Sequence, residues 1–490
     1  MTMIPVRIPQ KLKEKYRSFP VTLRATLWFT ICNFILKGIS FICMPIYSHV
    51  IPEDEYGTMS LITSYELIFN IFATFELYLG AYQRGLLKYK NETKSFEQAI
   101  VFISNILTVL CFFVFMLLSG PITKFTGVTI ALYAIFSVYF LVYTPYNCWL
   151  NKKRFEYDYK AAVIVTILMA LVSNLAPLIT INLIGRTANV KVITTLVIQI
   201  LFCLPFWIKN INFTSLFKNK ERTLDYVKYA LKFQGPLVFH SLSYYVLNQS
   251  DRIMIDKFSC KADVAFYSTA YSFASVIIIF QNSLNQVLKP WRFQKLDKKC
   301  YKEVRDISNV LVILVGGVIV MFMLVLPEVF VIFPDSYQEA RRIAPPVTIG
   351  VYFLFLYTLF VDIESYYGKT QYIAYVSTFC ALLNILLNYF GLKWFGYAAC
   401  AYTTLICYAI MSFLHFVFMK LTCKKAKVEE SPVDSKIIWG FSLIMLVIFF
   451  ITDTFYDSII IRYLMILGIA AIVFIFRKKI IASWKIIKSK

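Results

Sequence analysis

Charge is scarce in this 490-residue chain: Asp, Glu, Lys and Arg make up 16% of it, against about 25% in a soluble domain. Histidine is scarcer still, with His49, His240 and His415 as the three. No H-E-x-x-H and no C-x-x-C occurs, so zinc and redox readings have no support. The eleven cysteines are scattered, most of them inside apolar runs where they act as small packing residues. Gly368-Lys369-Thr370 has the look of the end of a phosphate-binding loop. Position 363 is Ile where glycine is required, however, and no strand precedes it. No hydrophilic stretch is long enough to fold as a separate catalytic or nucleotide-binding domain. No catalytic constellation and no cofactor site emerges.

What the chain has in abundance is grease: 59% hydrophobic residues, 17% aromatic ones and a mean hydropathy of +0.65. About fourteen stretches reach the roughly 20 apolar residues that a bilayer-crossing helix needs. Their length excludes barrel strands, which run to about 10 residues with alternating polarity. The fold class read from this is an all-α integral membrane protein of about 14 helices: two six-helix lobes in parallel repeat, then two C-terminal helices. In domain terms, 1–22 is a cytoplasmic segment, 23–208 the first lobe and 209–228 a linker. The second lobe is 229–419, followed by a linker over 420–436, helices thirteen and fourteen over 437–476, and a tail over 477–490. Span two is expected as one run, Gly57–Gln83. Span seven, Tyr229–Leu247, is the most polar.

The net charge of +22 follows topology. Lys and Arg concentrate before span one (Arg7 to Arg17), after span four (Lys152, Lys153, Arg154), between spans eight and nine, and between spans twelve and thirteen. Loops of the opposite side, such as Pro52–Tyr56 and Thr452–Asp457, are acidic. That asymmetry is the positive-inside rule. It orients a multi-pass membrane protein with both termini cytoplasmic, and no cleavable signal peptide is expected. Membrane lipids are partners; nucleic acid is not.

An internal echo supports the repeat. Asp54-Glu55-Tyr56-Gly57, with Ser60 and Tyr65, is matched by Ala262-Asp263-Val264-Ala265, with Ser268 and Tyr271. From these motifs a family emerges. Ile35-Leu36-Lys37-Gly38-Ile39-Ser40 leading to Glu53–Gly57 resembles the opening of oligosaccharide and polysaccharide flippases. These form one superfamily with multidrug and toxin extruders and lipid II flippases. Asp251-Arg252-Ile253-Met254-Ile255 and Asn384-x-x-x-Asn388, followed by Phe395-Gly396, are similar to later junctions of that family. Ala265 stands where the family usually has glycine.

The resemblance implies a flippase, not an enzyme, for an undecaprenyl-diphosphate-linked oligosaccharide in O-antigen or capsule assembly. It works by alternating access, driven by a proton or sodium ion. A polysaccharide polymerase and a chain-length regulator are the implied protein partners. A cation-coupled multidrug antiporter and, in a different class, a membrane glycosyl polymerase are the alternatives.

Ionisable residues inside spans mark function or structural pairs. At ~1.5 Å per residue, Lys37 matches Glu66 in depth and Arg24 matches Glu76. Each match reads as a structural ion pair or as a substrate cation beside a coupling carboxylate. Arg24 and Lys37 lie about 140° apart around the helix, so one narrow stripe does not hold both. Lys232 and Arg252 complete the candidate cationic set. His240, Asp251 and Asp362 join Glu66 and Glu76 as coupling or gating candidates. Tyrosines of span four (Tyr133, Tyr139, Tyr143, Tyr146) are candidates for stacking on sugar rings or for an aromatic belt.

Overall fold

The computed structural model describes residues 20–210 and 219–471. The chain is all-α, as expected, with no strand among the described residues. The helices are α1 Val21–Val50, α2 Glu53–Thr74, α3 Gly80–Lys88, α4 Thr93–Leu117, α5 Ser119–Thr126, α6 Ile130–Phe155, α7 Tyr159–Leu183 and α8 Ala188–Asn210. They continue with α9 Lys220–Phe258, α10 Lys261–Asp297, α11 Tyr301–Phe330, α12 Ala344–Tyr366, α13 Thr370–Phe395, α14 Ala399–Lys425 and α15 Ser435–Thr454. Last comes the shorter α16, Ile459–Ala471. In hydrocarbon every backbone N–H and C=O must be satisfied within the segment, and helices do this for long apolar runs.

Eleven described helices are long and apolar enough to cross a membrane, so the chain is a multi-pass membrane protein. Three expected spans fall short for identifiable reasons. The α2 helix opens on Glu53, Asp54 and Glu55 and carries Glu66. The 39-residue α9 is studded with polar residues, and α16 is short among the described residues.

Span two is not one run. The helix breaks after Thr74 and resumes at Gly80, with Phe75 and Glu76 both at φ +48°, a left-handed conformation costing roughly 1–2 kcal/mol per residue. The break is stapled by polar side chains. Thr74 Oγ1 accepts the Glu76 N–H (3.1 Å) and donates to the Asn70 carbonyl (2.9 Å). Asn70 Nδ2 donates to the Tyr78 hydroxyl (3.2 Å). Asn151 Nδ2 donates to the Tyr78 carbonyl (2.9 Å), and Gln234 Oε1 accepts the Ala81 N–H (3.1 Å). Beyond the break, Gly85 lies so close to Phe96 that a Cβ there would meet the ring at 2.1 Å.

The described residues pack into two compact units. The first draws on residues up to Cys43, Tyr65–Gly185 and Asn189–Phe239; the second on Met44–Ser64, Arg186–Ala188 and the chain from His240 onward. The second unit therefore takes the loop joining α1 and α2 into its own packing. There the two halves of the sequence echo meet: a Cβ on Gly57 would lie 1.8 Å from the Lys261 carbonyl oxygen and 3.3 Å from the Ala265 nitrogen. Glycine on α2 makes room for the alanine on α10. Glu55 in turn accepts the Ala188 N–H (2.7 Å) at the start of α8, where a carboxylate complements the free amides.

Candidate functional site

The second unit holds a buried polar knot on α9, α10, α13 and α14. Asp251 is fully buried within α9. Its Oδ1 accepts from Asn388 Nδ2 (2.5 Å), and its Oδ2 from the hydroxyls of Tyr267 (2.5 Å) and Thr404 (3.0 Å). Asn384 Oδ1 accepts from Ser250 (3.1 Å) and from Asn388 Nδ2 (3.1 Å), while Thr403 donates to Asn388 Oδ1. A bare carboxylate in this environment would cost several kcal/mol; three donors on one group offset that cost. Arg252, the next residue, turns elsewhere: to Ser268 (3.1 Å), to the Asn248 carbonyl (2.8 Å) and over the Tyr271 ring, 4.8 Å from its centroid.

The donor set decides what the knot can hold. No cluster of three or more His, Cys, Asp or Glu exists among the described residues, which disfavours a transition-metal site. One carboxylate with amide and hydroxyl oxygens is the chemistry of a hard monovalent cation or a proton.

Further along the same unit, Asp362 faces Arg292, itself 1% exposed, and lies 3.3 Å from Lys289. Glu364 and His415, both 0% exposed, pair at 3.1 Å. Nothing in their separation along the chain signals that partnership.

In the first unit Lys37 is exposed on α1, Lys232 is exposed on α9 and Arg24 is half-buried. Glu66 is half-buried, and the cation acting on it is Lys191 of α8. Depth matching points to Lys37 instead; a long lysine at the start of α8 reaches the same level from another helix. Glu76 is buried in the α2–α3 break. The side chain of His240 lies outside the described residues. Of the span-four tyrosines, Tyr133, Tyr139 and Tyr146 are buried among aromatic neighbours such as Phe115 and Phe206, where they serve as core.

A cleft that no sequence motif announces opens beside α3. Gly80, Gln83, Arg84, Leu87, Lys88 and Tyr229 line a cavity of about 750 Å³. Its cations sit on aromatic rings: Lys88 Nζ is 4.2 Å from the Tyr229 centroid, and the Arg84 guanidinium is 5.7 Å from that of Phe233. Outside the membrane-spanning stretch, Arg222 pairs with Glu92 (2.9 Å). The Arg222 and Tyr226 hydrogen bonds hold the Glu92 carboxyl below the usual carboxylate range.

Residues 22–297, more than half of the chain, match the model of the polysaccharide biosynthesis protein family. The chain belongs to that family. A second model, MatE, matches residues 236–390. Among solved structures, a lipid II flippase MurJ in an inward closed conformation has the same fold, with a TM-score of 0.67. It is 15% identical, and the likeness covers 93% of this chain and all of that one. An inward-facing multidrug resistance MATE transporter of the MOP superfamily follows at TM-score 0.63 and 12% identity, over 81% of this chain and 96% of that one. An uncharacterized membrane protein of Haemophilus influenzae is 25% identical over 169 residues, 32% of this chain and 39% of that protein. The family-model matches agree with the superfamily read from the motifs, and the solved structures that share the fold are a flippase and a transporter.

Proposed function

We propose that this protein is a flippase that carries undecaprenyl-diphosphate-linked oligosaccharide repeat units across the bacterial cytoplasmic membrane by alternating access, coupled to a cation, for O-antigen or capsular polysaccharide assembly. The observation that carries the reading is the pairing of a polysaccharide-biosynthesis family match with cations left without carboxylate partners in the first unit. Lys37 and Lys232 are exposed there and form no ion pair among the described residues. Such cations suit a diphosphate, and a hydrated path spares the sugar head the cost of shedding water into hydrocarbon. A polysaccharide polymerase and a chain-length regulator would then act on the delivered unit, and both termini would be cytoplasmic.

In this reading the Asp251 knot binds the coupling ion. Protonation or a sodium ion replaces the donors that now satisfy the carboxylate, and repacks α9 against α13 and α14. Glu66, facing Lys191, is a second carboxylate that a cation gradient could address. The deciding experiment is glycan export in cells lacking the native gene, together with transport in proteoliposomes under a sodium or a proton gradient. Lys37→Ala is expected to impair export at unchanged membrane levels, and normal export would remove Lys37 from the substrate path. Glu66→Gln is expected to alter the response to the gradient. The MatE match over 236–390 favours one second reading, a cation-coupled multidrug antiporter; drug sensitivity without a glycan phenotype would select it.

A further inference from the structure

We propose that the cleft beside α3 docks the diphosphate-sugar headgroup of the lipid-linked glycan on the side that the charge asymmetry assigns to the cytoplasm. This deepens the flippase reading and rests on it. Arg84 and Lys88 are four residues apart, so they share one face of the helix. Neither has an ion-pair partner among the described residues. Nearby Arg222, by contrast, is neutralised by Glu92. The charged ends lie over the rings of Phe233, Tyr89 and Tyr229, which orients them without supplying a carboxylate.

A second, independent feature points to an anion. Tyr229 lines the cleft, and its hydroxyl, buried just behind the surface, has no hydrogen-bond partner among the described residues, so a small side-chain shift would offer it to a ligand. An orphaned O–H costs stability until an acceptor arrives, and a phosphate oxygen is such an acceptor. Arginine meets phosphate with a two-pronged fork and lysine with a point charge, so the pair matches two linked phosphates. The volume, about 750 Å³, exceeds what phosphates alone fill and falls in the ~300–1,000 Å³ range of small-ligand pockets. Leu87, 54% exposed, and Leu79, 39% exposed, give the same end of the unit an apolar flank for a hydrocarbon anchor.

The test uses the full chain in phosphatidylcholine nanodiscs with farnesyl diphosphate as probe and phosphatidylglycerol as competitor. The Arg84→Gln/Lys88→Gln double variant is expected to bind the probe at least about tenfold more weakly, at an unchanged melting temperature. Arg84→Lys/Lys88→Arg keeps binding within about threefold, and Tyr229→Phe weakens it about threefold. Unchanged binding by the double variant overturns the proposal. Equal competition by phosphatidylglycerol also overturns it, because the cleft is then an anionic-phospholipid site. Glycan export is measured alongside. If the wild-type chain binds the probe but exports no glycan, the flippase reading fails and the anion site stands. If it exports glycan while the double variant binds normally, only the cleft assignment fails.

Discussion

The two units of this protein differ in how their charges are placed: the second sets several in buried pairs and networks, while the first also presents exposed cations without carboxylates. In the second, Asp251 is hydrogen-bonded by Tyr267, Asn388 and Thr404, Asp362 is faced by Arg292, and Glu364 by His415. In the first, Lys37, Arg84, Lys88 and Lys232 stand without carboxylates among the described residues. A charge with partners stabilises one packing, and removing a partner leaves the other exposed to a low dielectric. A charge without them is free to meet a ligand. In the proposed reading, the contrast separates a unit that holds a defined internal state from one that receives an anion, within a single family fold.

The sharpest way to break that contrast is at the knot. Asp251→Ala orphans three donors, each worth about 1–3 kcal/mol when buried; we expect loss of export and a markedly lower melting temperature in detergent. Asp251→Asn should keep most of the stability and lose the cation response. A stable, cation-responsive Asp251→Ala protein would show that the second unit does not depend on its buried charge. Next comes Gly57→Val, which forces a side chain into the Lys261 backbone. Overpacking of this kind costs roughly 1–3 kcal/mol, measured as a drop in thermal midpoint.

The first unit should respond otherwise. Lys37→Ala and Lys232→Ala are expected to move stability by no more than about 0.5 kcal/mol, as surface changes do, while glycan export falls. A stability loss as large as that of the knot variant would erase the distinction. Thr108→Val should cost about 1 kcal/mol, because Thr108 Oγ1 donates to the Ala73 carbonyl (2.9 Å) beside the α2–α3 break.

The smallest effect is at Glu92. Its carboxyl is held below the usual range by hydrogen bonds from Arg222 and then Tyr226. A depressed carboxylate contributes stability that is present above the unfolded value, about 4.3, and lost as pH falls through the folded value. Glu92→Gln should therefore lower the melting temperature slightly at neutral pH and converge with the wild type in acid, which flattens the acid side of the profile. An identical acid limb in the variant would show that the link carries nothing.

The outcome at particular residues shows where sequence reading ends. Long apolar runs announce the helices because a bilayer leaves the backbone no other partner, and the acidic turn at Glu53–Glu55 marks a helix start. The break after Thr74 is invisible in the sequence, since Phe75 and Glu76 are ordinary residues whose left-handed backbone is held by Thr74 itself and by Asn151 and Gln234, far along the chain. Arg84 and Lys88 read as unremarkable interfacial cations until Tyr229 and Phe233 of α9 are set beside them.

Hydrophobic length, charge asymmetry and short motifs such as Glu53–Gly57 determined, on their own, an all-helical membrane protein and its superfamily, because each is a local or summed property of the chain. Which charges are paired was decided by tertiary packing alone. Asp251 meets Asn388 and Thr404, and Glu66 meets Lys191, across helices whose rotation and depth no single segment encodes. Electrostatic energy depends on separation and burial, and both exist only once the helices are assembled.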